Sequence, residues 1–133
     1  MLLTRASEYA LLSLDTIRKS DHPVGAEQLA NELSIPKSFL AKILQSLAKH
    51  GILESRKGAH GGFILTKDIN EITINSIILA AEGKAPSVFD CSNYAETCPN
   101  GAIGTCAISP FLAKFQTKID DFLSDLTLGD ILL

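Results

Sequence analysis

From Leu2 to about Lys19 the apolar residues Leu3, Ala6, Ala10, Leu14 and Ile17 recur at spacings of three and four, which predicts an amphipathic helix. Arg5, Glu8 and Asp15 interrupt this run before it reaches the length of a secretory apolar region, so it reads as a helix and not as a leader. His22-Pro23 breaks the pattern. Gly25, with Val24 and Leu29 placed as a hydrophobic staple, then opens a short helix to about Leu33. Ser34-Ile35 is a tight connection, and Pro36 suits the first turn of a third helix, where its missing N–H has no intrahelical partner. In that helix Leu40, Ile43, Leu44 and Leu47 form one apolar stripe, while Lys37, Ser38, Ala41, Lys42, Gln45 and Lys49 occupy the other face.

Gly51 is placed to cap this helix at its C-terminus. Ile52 to Arg56 and Phe63 to Leu65 read as the strands of a hairpin around the turn Lys57 to Gly62. Thr73 is a candidate N-cap for a helix through Ile74, Ile77, Ile78 and Ala81 to Gly83. Periodicity is lost between Lys84 and Thr105. It returns from Pro110, where Phe111, Leu112, Phe115, Ile119, Phe122, Leu123 and Leu126 trace one long helix.

Two helices joined by a short turn and followed by a basic hairpin are the parts of a winged helix-turn-helix. The expected fold is mostly α with a small β-hairpin wing and a long C-terminal dimerisation helix. Three segments follow: 1–83 for the DNA-binding domain, 84–109 for a cysteine-containing loop, and 110–133 for the dimerisation helix and tail. A chain of 133 residues holds one modest core with an extension, not two full domains. The last helix carries an apolar stripe too wide for so small a body, so a homodimer is expected, with packing back onto the first helix as the competing arrangement.

Apolar residues at 46% and charged residues at 20% describe a globular chain, and no run of 18 apolar residues offers a membrane span. The expected location is the cytoplasm. No paired catalytic acids or activated nucleophile stand out, and Gly58, Gly61 and Gly62 sit in a hairpin turn instead of opening a helix after a strand, so neither an enzyme nor a nucleotide-binding loop is expected.

The net charge of −3 is unevenly spread: residues 34–67 sum to +5 and the rest to −8. Double-stranded DNA is the partner such local positive charge suits, since counterion release depends on the cations facing the phosphates; an ordinary solvated helix face is the alternative. The third helix is the candidate recognition helix, with Lys37, Ser38, Lys42 and Gln45 as its DNA-binding residues, joined by Arg56 and Lys57 on the wing. His60 reads as an exposed turn residue.

Cys91, Cys98 and Cys106, the only cysteines, fall within sixteen residues. An odd, clustered set points to metal binding or redox sensing instead of a disulfide framework. Six and seven intervening residues are wider than zinc-ribbon spacing, but a loop can wrap three thiolates around an iron-sulfur cluster. Such a cluster needs a fourth ligand: none of the three histidines lies in the loop, which leaves Asp90, Glu96 or a residue from another element. Three unliganded thiols acting as a direct oxidation sensor, and structural zinc, remain open beside it.

With these residues in place, the chain resembles the Rrf-two family of bacterial transcription regulators. The resemblance rests on LTRASEYAL, on SIPKSFLAKILQSLAKHGILESRKGAHGGFIL with its GxxGGF wing, on ITINSIILAAEG, on the cysteine loop and on TLGDIL. It implies a homodimeric regulator, a repressor being the expected kind, whose long C-terminal helices cross and whose two-iron or four-iron cluster lies near the dimer interface. An oxidant, nitric oxide or cluster status is the expected effector, changing the loop from Lys84 to Cys106 and so the dimer geometry and the spacing of the two recognition helices. In one branch of the family a histidine three residues after the last cysteine completes the ligand set; here that residue is Ser109. In another a carboxylate near the N-terminus of the partner subunit serves, and Glu8 stands at the matching place. The family's wing arginine is replaced by Lys57, with Arg56 beside it.

Overall fold

The computed structural model describes residues 3–88 and 106–132. Helices α1 (Arg5–Lys19), α2 (Ala26–Leu33) and α3 (Lys37–Lys49) are followed by a two-stranded antiparallel hairpin, β1 (Leu53–Arg56) and β2 (Gly62–Leu65). A 3-10 turn (Ile69–Glu71) leads into α4 (Ile74–Glu82), and α5 (Ser109–Asp125) and α6 (Leu128–Ile131) close the chain.

The stripe read on the third helix is its buried face: Leu40, Leu44 and Leu47 have no exposed surface and Ile43 almost none. It meets Ala10, Leu14 and Ile17 of α1 and Ile77, Ile78 and Ala80 of α4 in one core, with Leu29 of α2 beside them. The turn between α2 and α3 is made by Ser34 in the left-handed conformation at φ 56°, and the Ile35 N–H donates to the Ala30 carbonyl at 3.0 Å. Holding a non-glycine residue there costs roughly 1–2 kcal/mol, which the burial of Ile35 and the helices it joins must offset.

Two boundaries differ from expectation. Pro36 caps α3 with extended backbone (ψ 127°), so the helix begins at Lys37; the residue's fixed φ helps the chain enter the helix, but from one position earlier. Gly51, at φ 80°, lies one residue beyond the cap His50, the usual place of a left-handed exit. Thr73 accepts from the Ser76 N–H and Gly83 ends α4 at φ 77°, as expected.

The wing is fastened to the body as well as to itself. Leu53 pairs with Leu65 and Arg56 with Gly62 across the hairpin. In addition Val24 bridges to Phe63: the Val24 N–H donates to the Phe63 carbonyl at 3.1 Å and the Phe63 N–H to that of Val24 at 2.9 Å.

Helix α5 packs against α4, with Leu112 and Leu123 buried, while Phe111, Phe115 and Phe122 stay exposed along its outer side. The expected tail folds: Thr127 and Asp130 form a capping box for α6. Backbone bonds from Ile74 N–H to the Leu126 carbonyl and from Leu128 N–H to the Ile72 carbonyl, both 2.8 Å, tie it to the start of α4. Leu128 is fully buried in the core shared by α1 to α4, so the C-terminal segment is anchored to that body. Among the described residues no helix is long and apolar enough to cross a membrane.

Candidate nucleic-acid interface and cysteine site

Because the buried stripe of α3 fixes its rotation, the opposite strip is presented outward. Ser38, Lys42, Gln45 and Lys49 follow one another at steps of four, three and four, and all four are exposed. No carboxylate among the described residues pairs with Lys42 or Lys49. Lys49 belongs to this strip as fully as the three candidates above. Its four-residue step from Gln45 is the signal that marks it.

Lys37 is turned aside, its ammonium 3.5 Å from the Glu27 carboxylate of α2. Phe39, also exposed, lies on the flank of the helix, edge-on to Tyr9 of α1 with ring centres 5.6 Å apart. Ser46 is committed elsewhere: its hydroxyl donates to the Ala80 carbonyl and joins α3 to α4.

On the wing, Arg56 is paired with Glu54 at 3.3 Å, both half exposed, a contact that solvent weakens and that a phosphate can displace. Lys57 stands exposed and unpaired among the described residues. His60 is exposed in the turn and borders a shallow groove with His22, Pro23 and Gln28.

Of the cysteines, only Cys106 is described: a free thiol, half buried, three residues before α5. Cys91 and Cys98, with the alternative ligands Asp90 and Glu96, lie outside the described residues. Glu8 is half exposed on the first turn of α1, paired with Arg5 at 2.7 Å. It lines an open apolar groove of about 740 Å³ formed with Leu3, Thr4, Leu11 and Leu12. A buried residue that escaped sequence reasoning is Gln116, which interrupts the apolar stripe of α5 between Leu112 and Ile119.

The sequence signature of Rrf2, described as an iron-dependent transcriptional regulator, matches residues 3–133. The chain belongs to the Rrf2 family. A putative HTH-type transcriptional regulator of Aquifex aeolicus is 32% identical over 99% of this chain and 92% of its own. The HTH-type transcriptional repressor NsrR of Streptomyces coelicolor is 29% identical over 98% of this chain and 88% of its own. Among solved structures, a putative transcriptional regulator from Listeria innocua superposes with a TM-score of 0.74 at 25% identity, over 96% of this chain and 83% of that one.

This Rrf2 protein is therefore a DNA-binding transcriptional regulator and not an enzyme, and its winged-helix architecture is that of the family. On its surface the exposed strip of α3 presents Lys42 and Lys49, and the wing Arg56 and Lys57.

Proposed function

We propose that this Rrf2 protein represses transcription by binding a double-stranded operator as a homodimer, and that an iron-sulfur cluster governs the binding. The supporting observation is the donor set: three cysteines within sixteen residues just ahead of α5, and a carboxylate, Glu8, at an accessible position on α1.

That set fits such a group chemically. Cys91, Cys98 and Cys106 supply three thiolates, and the Cys106 thiol is unpaired. Glu8 of the partner subunit supplies the fourth ligand, since its pair with Arg5 is solvent-exposed and easily given up. A two-iron or four-iron cluster held there provides a centre reactive towards oxidants and nitric oxide.

The unpartnered faces support the homodimer. Phe111, Phe115 and Phe122 on α5, and Leu3 and Leu12 around Glu8, expose apolar surface that a second copy covers. On DNA, Ser38 and Gln45 face base edges in the major groove, Lys42 and Lys49 bind phosphates, and Arg56 and Lys57 grip the backbone beside the minor groove. Lys37 contributes less, being held towards Glu27. The half-sites lie about one helical turn, roughly 34 Å, apart, so a change in dimer geometry is felt as a change in affinity.

The test is the visible spectrum, with iron and acid-labile sulfide content, of protein purified without oxygen, for the native chain and Glu8→Ala. A brown native protein whose spectrum changes on loss of Glu8 is the expected result. Native protein that stays colourless and rejects a cluster on reconstitution overturns it, and leaves the thiols themselves as the sensor.

Lys42→Ala and Lys49→Ala test the interface. Each is expected to flatten the dependence of log Kd on log salt by about 0.9, one phosphate contact, with preference among operator sequences unchanged. An unaltered slope removes that residue from the interface.

A further inference from the structure

The Gln116 side chain of α5 bonds the root of the cysteine loop. Gln116 is 5% exposed, and its amide is used on both sides. Its Oε1 accepts from the Val88 N–H at 2.9 Å, while its Nε2 donates to the Pro86 carbonyl at 3.0 Å and to Asp120 Oδ1 at 2.7 Å. Pro86 and Val88 lie a few residues beyond the end of α4, and Cys91 is three residues further on. Pro86, itself buried, has no N–H to offer; the amide takes its carbonyl and the Val88 N–H, on either side of Ser87.

The rest of the root is anchored separately. Glu82, in the last turn of α4, accepts from the fully buried Ser7 hydroxyl at 2.5 Å, next to Glu8. Within α5 the two halves differ: Leu123 joins the main core, whereas Leu112 is buried outside it. Gln116 lies in that more loosely joined half. A glutamine is costly to bury unless its amide is satisfied, and here the satisfaction depends on residues 86–88 keeping their place.

We infer that Gln116 is a positioning residue that couples the cysteine loop to α5: displacement of the loop root breaks its bonds and frees the N-terminal half of the helix. This rests on the reading that the loop senses and the dimer responds. A hydrophobic residue there would fill the space yet leave the Val88 N–H and Pro86 carbonyl unpaired, so the coupling is specific to an amide.

The experiment compares the full-length native protein with Gln116→Leu and Gln116→Glu. Hydrogen exchange at the Val88 amide is read first, with core amides of α1 and α3 as reference. Gln116→Leu is expected to speed Val88 exchange at least tenfold with the reference amides unchanged. It is also expected to bring the operator affinities of cluster-loaded and cluster-free protein to within about twofold of each other while the iron content and visible spectrum stay native.

Gln116→Glu keeps an acceptor for the Val88 N–H but removes the Nε2 donor to Pro86 and sets a second carboxyl against Asp120. Val88 exchange in this variant is expected to lie between those of the native protein and Gln116→Leu. If Gln116→Leu does not fold, Gln116→Glu decides alone. Native exchange at Val88 in either variant overturns the inference. So does full cluster-dependent modulation of DNA binding in Gln116→Leu. Native protein that takes no cluster defeats the sensing reading instead, and the Val88 exchange still tests the latch.

Discussion

Gly62→Ala is expected to destabilise the protein by roughly 2–4 kcal/mol and to weaken operator binding by more than any single wing cation does. Gly62 sits at φ 152°, and a Cβ built there falls 2.5 Å from the Val24 carbonyl carbon, 2.6 Å from its oxygen and 2.7 Å from the Gly25 nitrogen. All three are backbone atoms, so no side chain can swing aside. Relief requires β2 to lift from Val24, which gives up the two hydrogen bonds of the Val24–Phe63 bridge at about 1 kcal/mol each, on top of a backbone conformation that alanine rarely adopts. Gly58→Ala is the control: it too has positive φ, at 108°, but its added methyl meets nothing within 4 Å, so only the conformational cost of roughly 1 kcal/mol remains. Urea unfolding with operator titration separates the two variants. Equal losses would mean that strain, not the collision with Val24, governs this position.

Leu128→Ala is expected to cost about 2–5 kcal/mol, the range for removing a fully buried leucine from a packed core. The effect should concentrate in the last helix and its neighbours. Leu128 is the apolar plug of α6, whose capping box and backbone bond to Ile72 hold only while the plug is seated. The Thr127 backbone N–H and hydroxyl keep the Asp130 carboxyl below the usual carboxylate range. The cap therefore contributes above the ordinary aspartate pKa and is lost as pH falls through the lowered one. The measurement is thermal unfolding together with proteolysis after Lys118. A stability loss under about 0.5 kcal/mol would show that the C-terminal segment rests on the body without supporting it.

The local grammar of the chain was legible: the three-four spacing of α1, α3, α4 and α5, the Thr73 cap and the glycines punctuating the wing all act within a few residues. The same rotation that buries Leu40, Ile43, Leu44 and Leu47 forces Ser38, Lys42 and Gln45 outward, so the exposed strip followed from the core pattern. What stayed hidden depends on partners remote in sequence. Nothing near Val24 announces Phe63, and nothing near TLGDIL announces Ile72. Gln116 reads locally as a polar interruption; its partners, Pro86 and Val88, lie across the loop. Lys37 looked equivalent to Lys42 until Glu27 claimed it. Pro36 illustrates a smaller failure, since a proline suits a helix cap and a first turn almost equally well.

Helix α5 is about 25 Å long at 1.5 Å per residue, and its supports are unevenly placed. Its C-terminal end is clamped by Leu123, the Thr73–Thr127 bridge and α6, whereas the end near Cys106 depends on Leu112 and the Gln116 amide. It is built as a cantilever, clamped at its C-terminal end. Displacement of such a beam is smallest at the clamp and greatest at the far end, so motion of α5 is expected to grow from Leu123 towards Ile108.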